Sequence, residues 1–221
     1  MRRLIALISL SLLSLSLFAA ESRIGVPHVG SPPKVDGTIL PLEWRGAARV
    51  PLADNMGHAM LMHDGNFLYV ALVGAKPGIG SVCARGRTGV RVLHASAALG
   101  TAAFEPEKGK WRMTRGFTWS NRDTGSSPEA TADRQKFLST DGWFANTSHA
   151  AAPQREYQIP IRGQREVPIV LGFLSFTPEE QKFYYWPSDL EDDCADPGLA
   201  SGFTDREFKF DPSKWGVLEL Q

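Results

Sequence analysis

Short segments in which apolar and polar residues alternate fill most of the chain after residue 22, and turn residues separate them. Alternation with a period of two is typical of half-buried β-strands. Gly57–His63 and Phe67–Val73 flank Asp64-Gly65-Asn66, and an Asp-Gly pair between apolar runs predicts a β-hairpin. Further strands are predicted at Val50–Leu52, Gly89–Ala95, Leu99–Phe104, Trp111–Ser120, Gly142–His149, Arg155–Ile161, Pro168–Phe176, Lys182–Trp186 and Trp215–Leu220. Many short strands with regular turns predict an all-β fold, an antiparallel β-sandwich of the immunoglobulin-like or jelly-roll type.

Few segments carry helical signals. Ser127–Leu138 fits either a helix or a long strand, and Thr177–Glu180 predicts a single turn that begins with an N-cap and a proline. We expect a loop at Lys76–Thr88. Pro187–Pro212 is the longest irregular stretch and is rich in acidic residues. Because loops of this length in a compact domain are usually functional or fastened down, we expect one of these two roles for it.

The first 22 residues have the three parts of a secretory signal peptide. Arg2 and Arg3 precede the apolar run Leu4–Phe18, and Ala19-Ala20 follow it. The run has 15 residues, fewer than the roughly 20 of a membrane-spanning helix. We therefore expect cleavage after Ala20, or after Ser22 as the alternative. The expected product is a periplasmic or extracellular protein with no membrane span, in which residues 23–221 form one domain.

Charge excludes one class of partner. The chain has 24 Lys and Arg against 24 Asp and Glu, and removal of residues 1–20 leaves a net charge of −2. A nucleic-acid-binding domain would show a basic surface, so no nucleic-acid partner is expected. The 15 prolines and 21 glycines favour many turns and few long helices.

The chain has two cysteines, Cys83 and Cys194. In an oxidising compartment, two cysteines most simply form one disulfide. The alternative is two separate buried thiols. A disulfide would join the expected loop at Lys76–Thr88 to the irregular stretch at Pro187–Pro212.

Three blocks in order along the chain resemble family 9 carbohydrate-binding modules and the related DOMON-like domains. They are Lys34-Val-Asp-Gly-Thr-Ile-Leu-Pro-Leu-Glu-Trp44, Met60-Leu-Met-His-Asp-Gly-Asn-Phe-Leu-Tyr-Val70 and Asp211-Pro-Ser-Lys-Trp-Gly-Val-Leu-Glu-Leu220. Between them, Gln154–Pro160 is similar to the family's Glu-x-x-Ile-Pro segment. The resemblance implies a β-sandwich and non-catalytic binding of a saccharide. The family clamps its sugar between two tryptophans, but Ser81–Thr88 has no aromatic residue at the corresponding place.

Two other functions remain as alternatives. Some DOMON-like domains bind haem through Met or His ligands, and this chain has such residues between positions 56 and 63. These are Met56, His58, Met60, Met62 and His63. The other alternative is a structural accessory protein without a small ligand. No Gly-x-Ser-x-Gly or His-Glu-x-x-His motif occurs in the sequence, so we do not expect an enzyme.

Two tryptophans outside the resembling blocks are candidate ligand residues. Sugar rings stack on aromatic faces, and Trp119 precedes the polar run Ser120–Asp123, while Trp186 lies close to Asp189. We therefore predict that Trp119, Trp186 and Asp189 contact a saccharide. The alternative for each tryptophan is a place in the core, because a sandwich of this size needs large aromatic residues there.

Two charged stretches are candidate ion sites. The stretch Arg85–Arg91, with Arg87 and Arg91, predicts an anion-binding concavity suited to an acidic sugar or a carboxylate. The alternative is a solvated turn. Asp192, Asp193 and Asp196 could supply oxygen ligands to calcium. The sequence lacks the spacing of an EF-hand, and a solvated loop held by Cys194 is the alternative.

Overall fold

The computed structural model of the chain describes residues 23–121, 127–149, 152–176, 178, 180–202 and 206–221. The expected signal peptide, Thr177 and Glu179 lie outside these residues. The described residues form thirteen strands and two α-helices. The strands are β1 (Arg23–Val26), β2 (Ala48–Pro51), β3 (Gly57–His63), β4 (Phe67–Gly74), β5 (Gly78–Arg85), β6 (Val90–Ala95), β7 (Ala98–Glu107), β8 (Lys110–Asn121), β9 (Phe144–Asn146), β10 (Gln154–Pro160), β11 (Glu166–Phe176), β12 (Gln181–Trp186) and β13 (Gly216–Leu220). The helices are α1 (Pro128–Asp141) and α2 (Pro197–Ala200).

The strands form two sheets that pack face to face. The larger sheet has the order β1-β13-β11-β5-β6-β7-β8, and β12 also pairs with β11. The smaller sheet has the order β2-β3-β4-β10-β9. The predicted all-β sandwich is confirmed. One pair departs from the expected antiparallel pattern, because β1 lies parallel to β13.

The predicted hairpin at Asp64-Gly65-Asn66 is confirmed and is held by its own aspartate. Asp64 Oδ1 accepts hydrogen bonds from the backbone N–H groups of Asn66 at 2.9 Å and Phe67 at 2.8 Å. Gly65 has a φ of 89°, which favours glycine. The turn sets the register of β3 and β4, in which His63 pairs with Leu68.

The prediction of a loop at Lys76–Thr88 was wrong. Most of this segment is β5, which lies between β11 and β6 near the middle of the larger sheet. Its small residues hide the strand pattern. A Cβ atom at Gly80 would collide with the Tyr157 hydroxyl, and one at Gly78 would collide with Phe173. The glycines therefore leave room for large rings in the core, a requirement that local sequence does not show.

The open choice at Ser127–Leu138 is settled as a helix. The Ser127 side chain accepts a hydrogen bond from the Ala130 backbone at 3.1 Å and caps the first turn of α1. Gly142 ends the helix in a left-handed conformation with a φ of 74°. Phe137 packs its ring against Trp143, so α1 adds to the core between the sheets.

The main core lies between the two sheets, and each sheet also has a covered outer face. The segment 29–47 covers the smaller sheet, where Trp44 packs with Met60 and Met62. The described residues of the segment 190–215 cover the larger sheet. Its apolar cluster includes Cys83, Val92, Phe104, Cys194, Leu199, Phe208, Phe210 and Trp215.

The predicted disulfide is present. Cys83 on β5 is bonded to Cys194, with their Cα atoms 6.0 Å apart and a sequence separation of 111. The bond fastens the covering segment 190–215 to the middle of the larger sheet. In the part of the chain that the structure describes, no helix is both long and apolar enough to cross a membrane.

Candidate functional site

A cavity of about 740 Å³ lies where the turn between β5 and β6 meets the turn between β10 and β11. We call it the arginine cavity, because four arginines line it. These are Arg85, Arg87, Arg91 and Arg162. Its apolar lining comes from the strands of both sheets and consists of Leu68, Ala84, Leu93, Ile159, Pro160, Ile161, Val167, Pro168 and Ile169. Gly86, Thr88 and Gln164 complete the lining.

The first wall of the cavity follows from the register of β5 and β6. The backbone N–H of Gly86 donates to the carbonyl of Gly89 at 2.8 Å and closes the turn. Val90 and Val92 face the outer cluster of the larger sheet. Because side chains alternate along a strand, Arg91 points to the opposite face, toward the space between the sheets.

The second wall is the turn after β10. The Ile161 N–H donates to Asn66 O at 3.0 Å, and the Gln164 N–H donates to Ile161 O at 2.9 Å. Arg162 and Gly163 between them have φ values of 43° and 75°. This tight turn holds Arg162 opposite the turn between β5 and β6.

The end of α1 lies close to two of the guanidinium groups and anchors one of them. Arg91 Nη2 donates to the backbone carbonyl of Asp141 at 2.7 Å. Arg162 Nη2 lies 3.7 Å from the place that a Cβ atom would take on Gly142. The side chain of Asp141 pairs with Arg115 at 2.5 Å.

Burial lowers the pKa of Arg91. Asp141 acts against this effect, whereas the positive charges of Arg115 and Arg162 lower the pKa further. Arg91 is thus a cation in a place that disfavours its charge. An anion in the cavity would relieve both the burial and the repulsion.

Some of the hydrogen-bonding capacity in the cavity is unused. Within the described ranges, no hydrogen-bond or ion-pair partner is found for Arg87 or Arg162. Arg85 does not add to it, because its guanidinium lies over the Trp111 ring of the outer cluster, 5.7 Å from the ring centroid.

The structure brings together only part of the predicted ligand set. Arg87 and Arg91 line the same cavity, whereas Trp119, Trp186 and Asp189 do not. Trp119 lies on β8 and is 45% exposed. Its ring packs near Gly100, Gly202 and, at a centroid distance of 4.7 Å, His94. Arg122 and Asp123, its expected polar neighbours, lie outside the described residues.

Trp186 occupies the alternative place, in the core. It is only 6% exposed and belongs to the cluster between the sheets. Gly216 makes room for its indole, because a Cβ atom there would collide with the ring. Trp186 therefore presents no open ring face to a ligand. Asp189 is exposed, in a turn with a φ of 60°.

The three aspartates proposed for calcium bind the protein itself. Asp192 accepts hydrogen bonds from Cys194 N, Asp211 N and Trp215 Nε1, each at 2.7 Å. Asp193 and Asp196 both pair with Arg206, at 3.1 and 2.9 Å. No group of three or more His, Cys, Asp or Glu side chains among the described residues is placed to share a metal ion.

Of the Met and His residues considered for haem, Met60 and Met62 lie on one face of β3, His63 lies on the other, and Met56 precedes the strand. Met60 and Met62 are buried beneath Trp44 on the outer face of the smaller sheet. Burial lowers the pKa of His58, with a further contribution from Arg49. His63 Nε2 lies 3.0 Å from the carbonyl of Gln221, and its Nδ1 accepts a hydrogen bond from Gly65. Met56 packs against the cluster between the sheets. The side chains of Met62 and His63 therefore point to opposite faces of β3.

Sequence reasoning missed Arg162 and Gln164. Both lie in the turn after β10, more than 70 positions beyond the stretch Arg85–Arg91. The sequence predicted a loop at Lys76–Thr88 and not the strand β5. Without β5, the sequence could not show that its turn lies at the same end of the sandwich as the turn after β10.

No protein-family model and no curated protein sequence matches the chain. The structure is similar to that of a candidate carbohydrate-binding protein from Bacteroides uniformis, with a TM-score of 0.49 and 11% sequence identity. The similarity covers 90% of this chain and 99% of the other. A likeness this distant leaves the ligand to be argued from the chain's own residues.

Proposed function

We propose that this protein is an exported, non-catalytic binding domain that takes a saccharide in the arginine cavity. The observation that carries the proposal is the lining of the cavity. An apolar floor from both sheets faces hydrogen-bond donors from two turns.

The size and chemistry of the cavity suit a small polar ligand. Its volume of about 740 Å³ falls within the range of small-molecule sites, roughly 300–1,000 Å³. A sugar ring has C–H faces that can contact apolar side chains such as Leu93 and Ile161. Its hydroxyls can accept from Arg87 and bond with Thr88 and Gln164.

The lining supports binding without turnover. Among the described residues that line the cavity there is no Asp, Glu, His, Cys or Lys. Hydrolysis of a glycoside uses a pair of carboxyl groups, and other general acid–base chemistry needs a titratable group near the reacting atom. Export is supported by the Cys83–Cys194 disulfide, which is typical of proteins in oxidising compartments.

A glycan array followed by calorimetry tests the proposal. Thr88 is exposed at the cavity, and Thr88→Trp would fill part of it. We expect the wild-type protein to bind one group of glycans and T88W to lose that binding. Thr114→Trp is the matched control, because Thr114 is an exposed threonine on β8 that does not line the cavity. Equal loss in both variants, or no binding by the wild-type protein, would overturn the proposal.

Trp119 is a second candidate position for a sugar, because it is 45% exposed. Trp119→Ala distinguishes the two positions. If W119A loses glycan binding while T88W keeps it, the saccharide binds at Trp119 and not in the arginine cavity.

A further inference from the structure

We infer that the ligand of the arginine cavity is an acidic saccharide, a sugar whose carboxylate binds between Arg91 and Arg162. This inference rests on the proposed function and adds the class of sugar. It is carried by the concentration of cations, by their unused donors and by the shape of the guanidinium group.

Three of the four arginines that line the cavity, all but Arg85 with its guanidinium over Trp111, remain for a ligand, and no Asp or Glu is found among the described lining residues. Asp141 is the carboxylate that lies nearby, and its side chain is already paired with Arg115. A neutral sugar needs both donors and acceptors around its hydroxyls, whereas arginine side chains are donors only. The charge of the lining therefore favours an anionic ligand over a neutral one.

The arginines differ in how far the protein already uses them. Arg91 is anchored through one nitrogen to the Asp141 carbonyl, so its position is fixed before a ligand arrives. In the described part of the chain, Arg87 and Arg162 have no partner for their guanidinium groups. An anion between these residues would thus meet the fixed guanidinium of Arg91 on one side. On the other side it would meet the guanidinium of Arg162, which can move to fit the anion.

A carboxylate matches the planar fork of arginine. Two parallel N–H groups of one guanidinium can bind both oxygens of a carboxylate, and such charge-assisted bonds are stronger than neutral ones. The apolar lining, including Leu68, Val167 and Ile169, excludes water from one side of the site. The remaining polar side chains, Thr88 and Gln164, are left for the ring hydroxyls.

Calorimetry with four probes tests the inference. The probes are an oligosaccharide of galacturonic acid, the matching neutral galactose oligosaccharide, sodium acetate and sodium sulfate. We expect the acidic oligosaccharide to bind at least about tenfold more tightly than the neutral one, as loss of a charged hydrogen bond implies. Raising NaCl from 0.05 to 0.5 M should reduce this preference through screening.

Arg162→Gln and Arg87→Gln should each lower the affinity for the acidic oligosaccharide far more than the affinity for the neutral one, and so remove most of the preference. Both residues are exposed in turns, so the fold is expected to tolerate the changes. Arg112→Gln is the control, because Arg112 is an exposed arginine on β8 outside the cavity.

The outcomes separate this inference from the proposed function. Equal affinity for the two oligosaccharides, or a preference unchanged in R162Q and R87Q, overturns the acidic class and leaves saccharide binding in place. If acetate or sulfate binds as tightly as the acidic oligosaccharide, the cavity is an anion site and its ligand is not specifically a saccharide. Failure of every glycan and both anions to bind overturns both proposals.

Discussion

The arginine cavity and the aspartate-rich segment 187–211 are both concentrations of one charge, but the protein uses them differently. The carboxylates of Asp192, Asp193 and Asp196 accept hydrogen bonds from the backbone, and two of them also pair with Arg206. The guanidinium groups of Arg87 and Arg162 have no partner within the described residues. A charged stretch becomes a candidate ligand site when internal bonds leave part of its hydrogen-bonding capacity unused.

The same contrast appears in how each region is held. The aspartate-rich segment is fastened by a disulfide and by Asp192, whereas the arginine cavity is formed by two turns at the ends of strands. We therefore expect changes in the first region to alter stability and changes in the second to alter binding. The four predictions that follow test this division.

Removal of the disulfide should have the largest effect on stability. In the chain-entropy model, a bond that closes a loop of 111 positions contributes about 4–5 kcal/mol. We expect Cys83→Ala with Cys194→Ala to lower the free energy of unfolding by this amount, measured by urea denaturation. Under conditions where the variant is folded, its affinity for the cavity ligand should equal that of the wild-type protein. A fall in affinity without unfolding would show that the two regions are coupled.

Loss of the Asp192 carboxylate should cost about 3 kcal/mol. Three N–H groups donate to it, including the indole of Trp215, which is 2% exposed, and removal of an acceptor that leaves buried donors unpaired costs about 1–3 kcal/mol, or more where the acceptor is charged. Asp192→Ala is compared by urea denaturation with Asp133→Ala, an exposed aspartate on α1 that should change stability by less than about 0.5 kcal/mol. In the arginine cavity, R162Q should likewise change the free energy of unfolding by less than about 0.5 kcal/mol. A loss of stability in R162Q as large as that in D192A would show that the two regions do not differ in their contribution to stability.

Glu156 extends the comparison to a fully buried carboxylate. It accepts hydrogen bonds from Gly37 N at 2.7 Å and Trp44 Nε1 at 3.0 Å, and so fastens the segment 29–47 to the smaller sheet. Burial raises its pKa to about 7, the two hydrogen bonds oppose the rise, and Asp36 and Glu43 add to it. Because this pKa lies above the ordinary value of 4.5, the folded protein holds more protons than the unfolded chain between these two pH values.

Stability should therefore fall as the pH rises from about 4.5 to 7, by roughly 3 kcal/mol from this group. Glu156→Gln keeps an oxygen that can accept a hydrogen bond and removes the titration. Urea denaturation at pH 5 and pH 8 should show a smaller difference for E156Q than for the wild-type protein. An equal pH dependence in both proteins would mean that Glu156 does not titrate in this range.

Several features of this fold can be predicted from short segments of the sequence. The hairpin at Asp64-Gly65-Asn66 needs only a turn signal between two apolar runs, and the disulfide was predicted from two cysteines in a chain with an expected export signal. β5 was not predicted, because Gly78 and Gly80 interrupt its strand pattern. Side chains at these two positions would collide with Phe173 and Tyr157 on other strands. A glycine that leaves space for a ring from another strand cannot be recognised from its neighbours in the sequence.

The candidate site shows the same limit. Arg87 and Arg91 were predicted from a local run of arginines and glycines, but Arg162 joins them only through the pairing of the sheets. Trp119 and Trp186 had similar polar neighbours in the sequence, yet one is exposed and the other is in the core. The difference for Trp186 depends on Gly216, which leaves space for its ring.

Calcium provides the smallest expected effect and the most direct comparison of the two charged regions. The oxygens of Asp192, Asp193 and Asp196 already bind N–H groups or Arg206, so calcium would have to displace these bonds. We expect 5 mM CaCl₂ or EDTA to shift Tm by less than about 1 °C, whereas a ligand at 100 times its Kd stabilises the folded state by about 2.7 kcal/mol. The acidic oligosaccharide at that concentration should therefore raise Tm by several degrees in the same assay. A shift of that size with calcium would show that the aspartates bind a metal despite their internal bonds, and that unused hydrogen-bonding capacity does not distinguish the two regions.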